Sequence, residues 1–332
     1  MNLLVWHVHG GYMTSLVQGA HTYLLPATAT EGGRSGYDWP AAAVDVSPEE
    51  LRDRDIDLVI LQRPEELAEA TRLLGREPGR DLPAVYLEHN TPQGGVPNSL
   101  HPLADQSAIP IVHVTHFNQL IWDSGRASSV VIEHGILDPG PLYTGELHAL
   151  GVVINEPVRR WRVTGTDLLP AFAQLARVDV FGMGGAQLRQ RFGARGPIVH
   201  AGDLAPDELQ QALARRRAYL HPIRWTSLGL ALLEAMHLGM PVLALATTEA
   251  IRAVPAEAGA ISTDIDELLR AADLLLSDPD EARRRGAVAR EVALQRYGLA
   301  RFLDRWDEVL TAEVSSFHDR RTPRLNSAAR GT

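Results

Sequence analysis

The stretch from Ser227 to Ala244, SLGLALLEAMHLGMPVLA, decides how the rest of the chain is read. It runs from a small-residue turn into an apolar helix, a glycine stop and an apolar strand. Leu230, Leu232, Leu233, Met236 and Leu238 supply the helix-forming and core-facing side chains. Gly239 suits the position just past the helix end, and Pro241 keeps the helix from resuming. Pro241-Val-Leu-Ala-Leu-Ala then reads as a buried parallel strand. One charge, Glu234, sits inside the apolar helix, and Gly229 stands where a loop brings backbone N–H groups close to an anion. A loop, a helix N-terminus and a carboxylate one turn in can together hold a nucleotide diphosphate and its ribose. A plain βαβ unit with Glu234 at the water's edge fits the same pattern.

Outward from this segment the chain alternates strands and helices. Leu3–Val8 is apolar and ends in His9-Gly10-Gly11. Tyr23–Leu25, Ile56–Leu61, Ala84–Leu87, Ile111–Val114 and Val130–Ile132 read as further strands, with a helix over Pro64–Leu74. Residues 28–40 are rich in Gly, Ser and Thr and suggest a mobile loop. Asp138-Pro139-Gly140-Pro141 stops both helix and strand and is a candidate hinge. Leu150-Gly-Val-Val-Ile then opens a second sheet. Helices follow over Asp167–Ala176 and Pro206–Arg217, with Val178–Phe181 and Ala218–Leu220 as strands. Asp266–Leu276, Pro279–Tyr297 and 298–312 read as the last helices, and the polar residues from about Ser315 as a disordered tail. Strands alternating with helices imply doubly wound parallel sheets, which bind ligands beyond the carboxyl ends of their strands. His9, Gly10, Gly11, His89 and Asn90 fall there.

Composition narrows the function classes. A chain of 332 residues suffices for two domains, and 45% hydrophobic with 22% charged residues is a globular composition. There is no cysteine, which excludes disulfides, thiolate metal sites and cysteine catalysis. A net charge of −9 opposes a general nucleic-acid role. No apolar run reaches the roughly 18 residues of a membrane span, and MNLLVWHVHGG lacks the basic start of a signal peptide. A cytoplasmic enzyme is the simplest expectation. All 32 basic residues are arginine. Any phosphate must therefore be met by guanidinium forks or backbone N–H groups, and lysine Schiff-base chemistry is impossible.

The Ser227–Ala244 stretch resembles the signature of the GT-B glycosyltransferases, specifically the retaining family 4 group. Glu234-Ala235-Met236 and Gly239-Met240-Pro241-Val242 match that signature, and Pro222 fits four residues before its first glutamate position. That position is Thr226 here, with seven residues between it and Glu234. The resemblance implies an α/β GT-B fold, two Rossmann-like domains facing across a cleft. It places an acceptor-side domain at 1–140 and a donor domain at 147–312, the last helix being a candidate to pack back on the first domain, and a tail at 315–332. It implies retaining, hexosyltransferase-type transfer of a sugar from a nucleotide-diphosphate sugar, without a cofactor or metal, to an acceptor the sequence does not identify. In the family the second glutamate holds the ribose hydroxyls, so this role passes to Glu234. Residues after the first glutamate offer amides to diphosphate and sugar, which implies Ser227, Leu228, Gly229 and Leu230. Thr226, neutral and shorter, puts sugar selection in question.

Further candidates rest on the same resemblance. Arg159 falls at a phosphate-binding arginine position, while Thr164-Gly165 occupies a Lys-Gly position without its lysine. Arg160 or Arg162 is then the second charge, and Arg159 and Arg162 are the phosphate candidates. A solvated basic run is the competing reading of both. Phe181-Gly182-Met183-Gly184-Gly185 resembles the family's glycine-bearing turn, and Asn155-Glu156-Pro157 stands where a glycine is usual. Gly10 and Gly11 match a glycine loop beside the donor phosphates. His89 matches a histidine near the transferred sugar, in a hydrogen-bonding role. His7, His9, His113 and His116 offer no metal geometry beyond proximity. Asp38-Trp39-Pro40 and Glu133-His134-Gly135 carry no assigned role. Two rivals remain: an epimerase or phosphorylase of the same fold, and a sugar-nucleotide-binding protein without transferase activity, which Thr226 keeps open.

Overall fold

A computed structural model describes residues 1–28 and 32–321. By internal contacts the chain divides into two units, 1–135 with the C-terminal residues from Ala300, and Ile136–Leu299. The first holds β1 (Asn2–Val5), β2 (Thr22–Pro26), β3 (Ala43–Val46), β4 (Leu58–Leu61), β5 (Ala84–Glu88), β6 (Ile111–His113) and β7 (Ser129–Val131). They form one sheet in the order β3-β2-β1-β4-β5-β6-β7, every pair parallel. The second holds β8 (Leu147–Val153), β9 (Arg177–Phe181), β10 (Ile198–Gly202), β11 (Arg216–His221), β12 (Val242–Leu245) and β13 (Gly259–Ser262). Their order is β10-β9-β8-β11-β12-β13, again parallel throughout. Both orders reverse direction once, at β1/β4 and at β8/β11. Loops leaving the carboxyl ends of those strands diverge to opposite faces and open the crevice in which such sheets bind ligands.

Continuous apolar strands are required because both faces of each sheet are covered. Successive residues of β11 and β12 alternate accordingly. Tyr219, Val242 and Ala244 pack with Leu232, Leu233 and Met236 of the helix Leu230–Leu238 and with Ala289 and Ala293 of the helix Pro279–Tyr297. Ala218, Leu220, Leu243 and Leu245 pack on the other face with Phe172, Leu188, Leu268 and Leu275. Each fully buried leucine contributes about 1.5–3 kcal/mol.

Several sequence expectations are corrected. The helix opening at Pro206 ends at Ala214, and Arg216 and Arg217 belong to β11. The strand tolerates them because Arg216 pairs with buried Asp179 at 2.8 Å, while Arg217 donates to the Gly145 and Leu276 carbonyls at 2.7 and 2.8 Å. Asp167–Ala176 is a short 3₁₀ turn, Thr166–Leu168, and one helical turn, Leu169–Phe172, with Pro170 in its first turn. The polar segment after Ser315 starts inside a helix, since Leu299–Arg321 is continuous and buries Phe317. The expected tail from 322 on, and residues 29–31 of the expected mobile loop, lie outside the described residues. The final helix is part of the first unit. Phe302 packs against Gly135 and edge-on to Tyr12, and Trp306 Nε1 donates to Tyr12 Oη at 3.1 Å.

Candidate functional site

In the second unit, the loops after β8, β9, β11 and β12 are tied to one another at the carboxyl edge of the sheet. The segment after β11, Pro222–Gly229, is anchored from both sides. Thr247 Oγ1, after β12, donates to the Ile223 carbonyl at 2.8 Å. The Arg224 amide donates to the Val163 carbonyl at 2.8 Å. Gly165 has φ +71°, and a Cβ there would lie 1.8 Å from the Pro222 carbonyl oxygen, so only glycine lets the two loops approach this closely. The loops after β8 and β9 are joined by Glu156 N to the Met183 carbonyl and Met183 N to Asn155 Oδ1, at 2.9 and 3.0 Å. Glu156 has φ 54°, the left-handed region glycine favours, at the very segment where the resemblance implies a glycine.

Thr226 and Ser227 lie in this loop, Ser227 buried, and Leu228 is rooted in the core. Gly229 caps the helix Leu230–Leu238, and Gly239 ends it at φ 87°. Beneath Gly229 lies His221, buried and held neutral, its pKa pushed down to about 4 by burial. Glu234 keeps some exposure, but the groups around it desolvate the carboxyl and push its pKa up. Among the described residues its carboxylate has no hydrogen bond or ion pair. A carboxylate in that state is poised to accept hydrogen bonds from hydroxyl groups.

Arg159 and Arg162 are strongly exposed. Arg159 is paired with Glu156 of its own turn, and Arg162 with Asp167 at 2.9 Å. Thr164, at the position without lysine, is fully buried, its hydroxyl against the Trp161 carbonyl and Thr166 Oγ1 at 3.3 and 3.0 Å. Gly182 and Gly184 take positive φ at the turn after β9. The sequence reading passed over Arg224, whose guanidinium forks onto both oxygens of Asp167 at 2.6 and 3.0 Å and bonds the Arg162 carbonyl at 2.8 Å. Its two-residue distance from Thr226 was the available signal.

In the first unit, Gly10 and Gly11 do not form a loop; they open the helix Gly10–Leu16. Tyr37 covers Gly10, and a Cβ there would meet its hydroxyl at 2.1 Å. His89, after β5, is buried. Its Nε2 meets Gln62 Oε1 at 2.8 Å, and Gln62 Nε2 donates to the Trp6 carbonyl at 2.6 Å. The amide orientation therefore makes His89 Nε2 the donor and leaves Nδ1 as an acceptor. Burial and the neighbouring His9 and His134 lower its pKa well below 6.5 and keep the ring neutral. The rings of His9 and Tyr12 lie 4.3 and 4.8 Å from that of His89. His134, missed as a member of this cluster, is buried with both ring nitrogens unpartnered, and burial pushes its pKa down to about 4. The ring of His113 lies 6.3 Å from that of His101, which bonds Glu88 at 3.1 Å. Among the described residues no group of three or more side chains is placed to hold a metal ion, and no helix is long and apolar enough to cross a membrane.

Comparison with known proteins adds to this geometry. The family model described as Glycosyl transferases group 1 matches residues 161–278, the segment that carries the loop after β11 and Glu234. No curated protein sequence matches the chain. A variant of S. aureus TarM solved with fondaparinux, α-GlcNAc-glycerol and UDP is similar at TM-score 0.61 and 14% identity, over 76% of this chain and 55% of that one. The chain thus spans about half the length of that relative. HepE of Anabaena in complex with UDP-glucose is similar at TM-score 0.68 and 18% identity, over 94% and 100% of the two chains. Sucrose-phosphate synthase of Thermosynechococcus elongatus gives TM-score 0.71 and 12% identity, over 95% and 100%. At such identities the likeness concerns the fold, and the fold is α/β of the GT-B class.

Proposed function

We propose that this chain is a retaining glycosyltransferase of the hexosyltransferase type that takes its sugar from a nucleotide-diphosphate donor. One observation carries the reading. A partnerless, desolvated carboxylate, Glu234, lies one turn inside an apolar helix whose N-terminus and preceding loop sit at the β8/β11 reversal of a parallel sheet. The match of residues 161–278 to the glycosyltransferase group 1 model supports it, as does similarity to a protein solved with UDP-glucose.

In this reading Glu234 accepts the ribose hydroxyls and fixes the nucleotide. The amides of Ser227, Leu228, Gly229 and Leu230, with the helix N-terminus, face the diphosphate. Negative charge develops there as the sugar leaves, and fixed donors stabilise it without reorganising. Arg159 and Arg162 can exchange their exposed carboxylate partners for phosphate at little cost, because exposed ion pairs are worth about 0–1 kcal/mol. These groups take the place of a metal ion. His89 contributes a neutral ring with a free Nδ1 that accepts a sugar hydroxyl, and a retaining path needs no general base. Gly10 and Gly11 remain in the proposal as donor-side residues at a helix opening, where the Tyr37 hydroxyl lies over Gly10. The cytoplasm is the proposed location.

The test is a thermal-shift screen against UDP, GDP, dTDP and ADP, then transfer from the matching labelled nucleotide sugar with and without EDTA. Ligand at 100 times Kd should stabilise the fold by about 2.7 kcal/mol. Chelator should leave turnover intact. No shift with any diphosphate would sink the donor site. A second reading, a sugar-nucleotide-binding protein without transfer, is favoured by Thr226, which cannot counter positive charge on the sugar ring. Binding with only slow hydrolysis would select it.

A further inference from the structure

We propose that Arg224 is a diphosphate-binding guanidinium of this site, supplying the held positive charge that Thr164 does not. The inference rests on the donor-site reading above. A bound diphosphate needs positive charge that is already in place, because immobilising a free side chain costs part of the interaction. Four guanidiniums stand on the loops after β8 and β11. Arg159 and Arg162 are 69% and 71% exposed, each with one carboxylate partner. Arg160 has no ion pair among the described residues. Arg224 differs from all three.

Its side chain is only 26% exposed, and that of Asp167, 17% exposed, grips the guanidinium in a fork. Its own amide is bonded to Val163, and its Nη1 to the Arg162 carbonyl. Both ends of the side chain are thus fixed to the 161–167 loop, the one against which Gly165 seats Pro222. Nε–H and one proton of Nη2 remain uncommitted, and two such donors suit the oxygens of a phosphate. Asp167, held ionised by Arg224 and Arg162 despite partial burial, leaves the arginine pair with a net positive charge. Thr164 cannot take this part, since its hydroxyl is buried and engaged within its own turn.

The test is calorimetry on Arg224→Gln and Arg224→Lys with UDP and uridine, or with the diphosphate and nucleoside that the wild-type chain prefers. Arg224→Gln should weaken the diphosphate about ten- to a hundredfold and leave the nucleoside within twofold. Its affinity should also fall less steeply with added salt than the wild type's. Arg224→Lys, which keeps the charge and loses the fork, should fall in between. Equal losses for diphosphate and nucleoside would mean that Arg224 only shapes the loop, and would overturn the proposal. So would unchanged diphosphate affinity in a folded Arg224→Gln. Failure of the wild-type chain to bind any diphosphate would overturn the donor-site reading and this inference with it.

Discussion

Replacing Glu234 by glutamine should move two quantities in opposite directions. In the unliganded chain Glu234 is a desolvated carboxylate without a partner, so ionising it works against the fold. Its folded pKa is raised. The stability it contributes is therefore present below the unfolded value and lost as pH rises through the folded one. Glutamine keeps the shape and removes the charge. The unliganded variant should be more stable than the wild type at pH 8, and the gap should narrow toward pH 5. Binding should change the other way. A charge-assisted bond to the ribose diol is worth about 1.5–3 kcal/mol, so Kd should rise about ten- to a hundredfold. At a ligand concentration 100 times the wild-type Kd, ligand stabilisation then falls from about 2.7 kcal/mol to between about 1.4 and 0.4 kcal/mol. Denaturant melts of both proteins at two pH values, with and without the nucleotide diphosphate, read both effects. Unchanged affinity with an unchanged unliganded midpoint would remove Glu234 from the site and the desolvation argument with it.

Thr226→Glu should alter turnover or sugar preference while diphosphate affinity stays within about a factor of ten, or 1.4 kcal/mol; kinetics with two nucleotide sugars decide it, and no change in either would mean that the loop is read in the wrong register. Gly165→Ala should cost at least about 2 kcal/mol in chemical denaturation, since φ +71° and the Pro222 carbonyl both oppose a Cβ, and should weaken nucleotide binding by displacing the loop. His134 is neutral and buried, with its pKa lowered to about 4. Its contribution is complete above pH 6.5 and lost as pH falls toward 4, so His134→Gln should flatten the acid side of the stability profile by up to about 1.4 kcal/mol per pH unit. An unchanged slope would mean that the ring takes up its proton without cost.

Much of the second unit was legible in the sequence because local chemistry and tertiary fold agree there. The helix Leu230–Leu238 is apolar almost all round, it stops at a glycine that adopts positive φ, and a proline leads into a buried strand. No distant residue is needed to place those boundaries, and a lone carboxylate among leucines is conspicuous in any context. The edge strands β3 and β10 and the helix opening at Gly10 were not legible. Their segments are short, with too few residues in each for a periodic pattern to show. Arg216 and Arg217 read as a helix end because charge argues against a buried strand. Only the distant Asp179 and two backbone carbonyls make them tolerable in one.

The same reasoning separates the candidate site into two parts. Which residue types are present followed from sequence alone, down to the absence of any lysine to meet a phosphate. Which of those groups is free, held or neutral did not. Arg224 and Asp167 are 57 residues apart in sequence, and His89 owes its proton position to Gln62 and, through it, to Trp6. Ion pairing, tautomer and desolvation depend on distances of a few ångströms between loops that leave different strands. The order of strands in a parallel sheet sets those distances, and the tertiary structure alone decided it.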